Sequence, residues 1–215
     1  MRRATTLLLL RAASSTPAAV SDTSTLARAI FDIAPSPQIV VCMTGGGVQL
    51  ASYLLSTPGS SRCVLDVQVP YSRNSLVELL GSEPNKFCAP AVAHDLAAAA
   101  FERARKLREA DGPAIGVGCT AALRSEPMKR GAHRCFVAVR TSEGTHELAL
   151  TLAKGARSRP SEDAVVGRVA LVALARACGL ELSEQQADMW RLPADADGSG
   201  KGVDEERLLT SFKPA

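Results

Sequence analysis

The sequence predicts an α/β fold: a three-layer α/β/α sandwich around a largely parallel twisted sheet with one antiparallel hairpin. Three observations carry that expectation. Short, apolar, β-branched runs alternate along the chain with stretches of 3.6-residue periodicity. The 215 residues are 46% hydrophobic, enough to bury one substantial core. Only one neighbouring pair of strand-like runs is joined by a tight turn, so the others need helical crossovers.

Residues 25–33 place Leu26, Ala27, Ile30 and Ile33 on one helical face before Pro35 and Pro37 break the run. A strand is expected over 38–43, with Gly45, Gly46 and Gly47 directly behind it and a helix over 48–55 ending at Pro58 and Gly59. Residues 63–69 alternate as a half-buried strand, and 73–80 form a short helix closed by Gly81. The longest helix is expected over 89–108, where apolar positions recur at three and four and Arg103, Arg105, Lys106 and Arg108 complement its C-terminal dipole. A strand follows at 114–120. Residues 134–141 and 145–152 pair as a hairpin, and a buried helix spans 163–178 before Gly179. No internal repeat is visible, which argues against a solenoid.

This pattern divides the chain into a targeting or disordered segment at 1–22, a folded domain at 23–180 and a flexible acidic tail at 181–215. The first segment holds Arg2, Arg3 and Arg11, many Ser, Thr and Ala, and no acid before Asp22, a composition that suits a mitochondrial or plastid address; a disordered cytoplasmic N-terminus is the alternative. A net charge of +3 with 4% aromatic residues gives no basic face interleaved with stacking rings, so no nucleic-acid partner is expected. No stretch has transmembrane length, so no membrane partner is expected either. The six cysteines are spread singly, without a C-x-x-C or zinc spacing, and read as reduced core thiols.

The turn Thr44-Gly45-Gly46-Gly47 sets a hydroxyl and several backbone N–H groups where a strand hands over to a helix. Two readings are open: the amides receive a ligand's phosphate or carboxylate, or the glycines only let the chain turn tightly. The order of several short motifs decides between families. Thr44-Gly45-Gly46, Pro58-Gly59-Ser60-Ser61, Tyr71-Ser72, Leu79-Leu80-Gly81 and Cys119-Thr120 follow one another over residues 38–179. In that order and spacing the chain resembles the CinA C-terminal domain family, whose enzymatic members remove ammonia from nicotinamide mononucleotide. It is most similar to divergent plant and fungal versions often fused to a nucleotidylyltransferase-like domain, through Val69-Pro-Tyr-Ser-Arg73 and Gly116-Val-Gly-Cys-Thr120.

The resemblance implies a nucleotide-binding α/β domain with Thr44, Tyr71 and Thr120 at the reactive centre. Gly45, Gly46, Gly47, Ser72 and Arg73 would surround the ligand. It implies no required cofactor, a small-molecule nucleotide as partner, a place in NAD salvage, and homo-oligomer formation. The departures fall on reactive groups. The family's Glu-Ser-Cys before the turn reads Val41-Cys42-Met43, its lysine lines up with Leu76 and its asparagine with Arg73. Its Thr-Gly-Ile-Ala-Gly-Pro loop reads Thr120-Ala-Ala-Leu-Arg124, without the glycines. Amide hydrolysis needs an activated nucleophile and a proton donor, so the pattern predicts a pseudoenzyme that binds a pyridine nucleotide or a protein partner. The alternative is a working amidohydrolase with a rewired acid–base group.

Cys42 is either that substitute nucleophile or an inert buried thiol. His133 and Arg134 either hold a phosphate or sit on the surface. In the tail, Asp195, Asp197, Ser199 and Glu206 match positions 1, 3, 5 and 12 of a calcium loop, with Gly200 at position 6. Pro193 breaks the helix that should enter such a loop, so calcium and a plain acidic tail are both open.

Overall fold

All seven residues of β1 (Gln38–Thr44) are buried, as an unbroken apolar run requires of a strand covered on both faces. The computed structural model describes residues 22–109, 111–128, 130–195 and 206–215. Around β1 lie α1 (Asp22–Phe31), α2 (Gln49–Leu55), β2 (Val64–Gln68), α3 (Arg73–Leu80) and α4 (Pro90–Leu107). Then come β3 (Ala114–Ala122), β4 (His133–Arg140), β5 (Gly144–Leu152), α5 (Arg159–Ala177), the single turn α6 (Glu184–Ala187) and β6 (Arg207–Pro214).

The fold is an α/β sandwich on a mixed six-stranded sheet of order β2-β1-β3-β4-β5-β6. β1 is parallel to both β2 and β3, and the pairs β3–β4, β4–β5 and β5–β6 are antiparallel. Alternate residues of β1 serve opposite cores: Ile39, Val41 and Met43 join α1, α2 and α5, while Val40 and Cys42 join α4. The α4 side is built from small residues. A Cβ on Gly116 would stand 2.2 Å from the Ala97 carbonyl oxygen, and one on Gly118 2.1 Å from that of Ala93, so this seam closes only because both strand positions lack side chains.

Two helices begin three or more residues earlier than expected. α1 begins at Asp22 and ends at Phe31. α5 begins at Arg159, four residues early, because the Ser158 hydroxyl accepts the Ser161 N–H at 3.4 Å and Pro160 stands in the first turn, where its missing N–H costs nothing.

The expected flexible tail at 181–215 is corrected in its described parts. Met189 and Trp190 are buried in the larger core, and β6 pairs with β5 from Thr151↔Arg207 to Gly144↔Pro214. The cause is Arg157, nearly buried, whose guanidinium donates to the carbonyls of Leu192 and Pro193 and to the Glu206 carboxylate. Those bonds pin the segment against the domain and supply the β5 edge with a partner.

The two described ends of the calcium-like loop are engaged by the protein's own donors. Asp195 accepts the Ser158 N–H at 2.5 Å, and Glu206 accepts from Arg157 and from the Ala153 N–H at 3.2 Å. Asp197 and Ser199 lie outside the described residues, as do residues 1–21. Among the described residues no helix is long and apolar enough to cross a membrane.

Candidate functional site

β1 and β3 lie side by side with Thr44 opposite Thr120 at their C-terminal ends. The chain leaves β1 for β2 on one side while β3 flanks the other, and such a switch of direction opens a crevice in an open α/β sheet. A cleft of about 430 Å3 occupies it. Thr44, Gly45, Tyr71, Ser72, Arg73 and Thr120 all line it, so six of the residues singled out in the sequence come together.

Both threonine hydroxyls are committed as donors, Thr44 Oγ1 to the Pro70 carbonyl at 2.9 Å and Thr120 Oγ1 to the Phe87 carbonyl at 2.8 Å. They fasten the loops that carry Tyr71 and Phe87, the two aromatic rings of the cleft. Ser72 caps α3 by accepting the Ser75 N–H at 3.2 Å, and Arg73 pairs with Glu83.

The other expected residues lie elsewhere. The Cys42 thiol faces the α4 core and donates to Gln68 at 3.5 Å. Burial, reinforced by nearby Asp66 and only partly opposed by Arg103, pushes its pKa up to about 12, so it stays a protonated core thiol. His133 is buried at the start of β4 with its Nδ1 2.6 Å from Glu162, and Arg134 is exposed with its guanidinium 5.8 Å from the Phe136 ring. Neither lines the cleft.

The glycine turn is also filled from within. The Asp163 carboxylate of α5 accepts the N–H groups of Gly47 at 2.7 Å, Val48 at 3.3 Å and Gln49 at 3.2 Å, taking the donors expected to meet a ligand. Gly45, at φ +74°, is required for close approach, since a Cβ there would stand 2.0 Å from the Ala121 carbonyl oxygen. Gly46 and Gly47 pack against Leu123 and Cys119 in the same way.

Sequence reasoning missed Arg159. At the first turn of α5 its guanidinium donates to the carbonyls of Arg124 at 2.8 Å and Gly45 at 3.1 Å and to the Tyr71 hydroxyl at 3.2 Å. Three of its five N–H donors are so used, leaving two at a cleft that it lines. Three residues on, Glu162 accepts the Arg124 N–H at 2.7 Å and bonds His133, so the first turn of α5 holds the loops that follow β1, β2 and β3. The helix-start signal Ser158-Arg159-Pro160 was present in the sequence. What it could not reveal is which way Arg159 would reach.

Solved structures share this fold. The competence/damage-inducible protein CihA from Agrobacterium tumefaciens superposes with a TM-score of 0.54 at 21% identity, over 74% of this chain and 97% of that one. A competence-damaged protein (CinA) superfamily member from Enterobacter cloacae gives 0.51 at 14% identity, over 81% of this chain and 98% of that one. The fold is CinA-like. A competence or damage-inducible protein from Enterobacter asburiae agrees, with a TM-score of 0.52 at 12% identity over 73% of this chain and 96% of that one. No family model and no curated protein matches the sequence.

The titratable groups lining the CinA-like cleft are Tyr71, Arg73, Cys88 and Arg159. No carboxylate, imidazole or amine lines it among the described residues. The Cys88 thiol donates to the Arg134 carbonyl at 3.8 Å. Two guanidinium groups, of Arg73 and Arg159, and two aromatic rings, of Tyr71 and Phe87, share this lining.

Proposed function

We propose that this CinA-like domain binds an anionic pyridine nucleotide in the cleft at the ends of β1 and β3 and does not deamidate it. The observation that carries the reading is Arg159, a guanidinium fixed by three bonds with two donors to spare, in a lining that holds two arginines and no acid. A planar cation fork matches a phosphate group. The Tyr71 and Phe87 rings offer faces to a pyridine ring, and the Tyr71 hydroxyl, which accepts from Arg159, keeps its own proton to donate to a ribose.

Hydrolysis of the amide would need a base to activate water and an acid to protonate the leaving ammonia. The position that the resemblance gives to lysine is Leu76, which lines the cleft with an apolar side chain. Titration calorimetry of the full chain with nicotinamide mononucleotide, with ammonia assayed on the same sample, tests both halves of the proposal. Heat without ammonia is expected, and Arg159→Gln should weaken binding by about tenfold or more, the equivalent of roughly 1.4 kcal/mol. Ammonia released in proportion to protein would make the chain a deamidase. Absence of heat would remove pyridine nucleotides altogether.

A further inference from the structure

A second cleft of about 400 Å3 opens at the opposite pole of the sheet, where β1 and β3 begin and α5 ends. Its size is within the range of small-molecule sites, roughly 300–1,000 Å3. Ile33, Pro37, Ile115 and Phe212 give it apolar walls. Thr141 and Ser142 border them, as do an acid, an imidazole and a guanidinium: Glu143 from the β4–β5 turn, His146 from β5 and Arg176 from the last turn of α5.

The charges here are unspent. Neither the Arg176 guanidinium nor the Glu143 carboxylate makes a hydrogen bond or ion pair among the described residues. Between them in the lining is the His146 ring, tilted by 51° against Phe212 with centroids 4.7 Å apart. Burial holds the His146 pKa below the ordinary histidine value; Glu143 opposes that shift and Arg176 reinforces it. A cation and an anion in the lining of one cleft can both meet one small molecule lying in it. Arg176 complements the C-terminal dipole of α5, which accounts for a cation on that turn but not for apolar walls around it.

We propose that this second cleft binds a free α-amino acid with an apolar side chain. Arg176 takes the carboxylate with its planar fork. Glu143 and the negative end of α5 take the ammonium group. Ile33, Pro37, Ile115 and Phe212 enclose the side chain. A plain carboxylic acid would bring its charge against Glu143, and a plain amine would bring its charge against Arg176, so the pair of charges selects a zwitterion.

Calorimetry of the full chain with L-phenylalanine, phenylalaninamide and 3-phenylpropanoate separates these cases. Phenylalanine should bind, and the other two, lacking the carboxylate and the amine respectively, should bind at least about tenfold more weakly. Arg176→Gln should lower phenylalanine affinity by a similar factor with Tm unchanged. Glu143→Gln should narrow the gap between phenylalanine and 3-phenylpropanoate. Arg159→Gln, in the other cleft, should leave phenylalanine binding as it was. No heat with phenylalanine at millimolar concentration, equal binding of all three compounds, or loss of binding in Arg159→Gln would each overturn the assignment.

Discussion

On one side of the turn at residues 45–47, the amides of Gly47, Val48 and Gln49 are saturated by the Asp163 carboxylate; on the other, Arg159 holds the Gly45 carbonyl and keeps donors toward an open cleft. The two side chains are four residues apart on the same helix, one turn from each other. The first region is a completed anion site whose anion belongs to the protein. The second is a guanidinium at the wall of a cleft, where the proposed nucleotide would supply the anion. Glycines behind a strand therefore say where the chain turns, while the identity of the group opposite them decides whether a ligand is needed.

That contrast breaks most sharply at Glu162, which lies between the two. Its carboxylate and the His133 imidazole are both almost wholly buried, so Glu162→Ala leaves an uncompensated polar ring and should cost about 3–5 kcal/mol in urea unfolding. A loss below about 1 kcal/mol would show that the pair does not hold the domain together. Asp163→Ala comes next, at about 1–3 kcal/mol, with faster hydrogen exchange at the Gly47 amide. Unchanged exchange there would mean that the turn does not depend on the carboxylate.

The smallest effect concerns Asp195, which does for the start of α5 what Asp163 does for α2. The Ser158 backbone N–H, helped by the Ser158 and Ser161 hydroxyls, holds its carboxyl below the usual aspartate range. A depressed folded-state pKa means stability that is present above the unfolded value near 3.8 and lost as pH falls through the folded value. Thermal unfolding of the wild type and Asp195→Asn should differ at pH 7 and converge below about pH 3.8. A gap that persists in acid would remove the charge from the account.

Most of the frame is legible before folding because it depends on local pattern. The run 38–44, the small-residue stripe of α4 and the hairpin around Glu143 each announce their own conformation. Thr44, Tyr71 and Thr120 were found through shared motif order. Arg159 and Asp163 were not, since their roles arise only when α5 is laid across the ends of β1 and β3. β6 was hidden for a similar reason. Arg207-Leu-Leu-Thr-Ser-Phe-Lys-Pro214 has little alternation of its own and becomes a strand because β5 offers an edge and Arg157 secures Glu206.

Asp163 lies 116 residues beyond Gly47. During synthesis at about 5–20 residues per second, the turn after β1 leaves the ribosome roughly 6–23 seconds before the carboxylate that completes it. The contact that completes this turn is thus available only once α5 has been made.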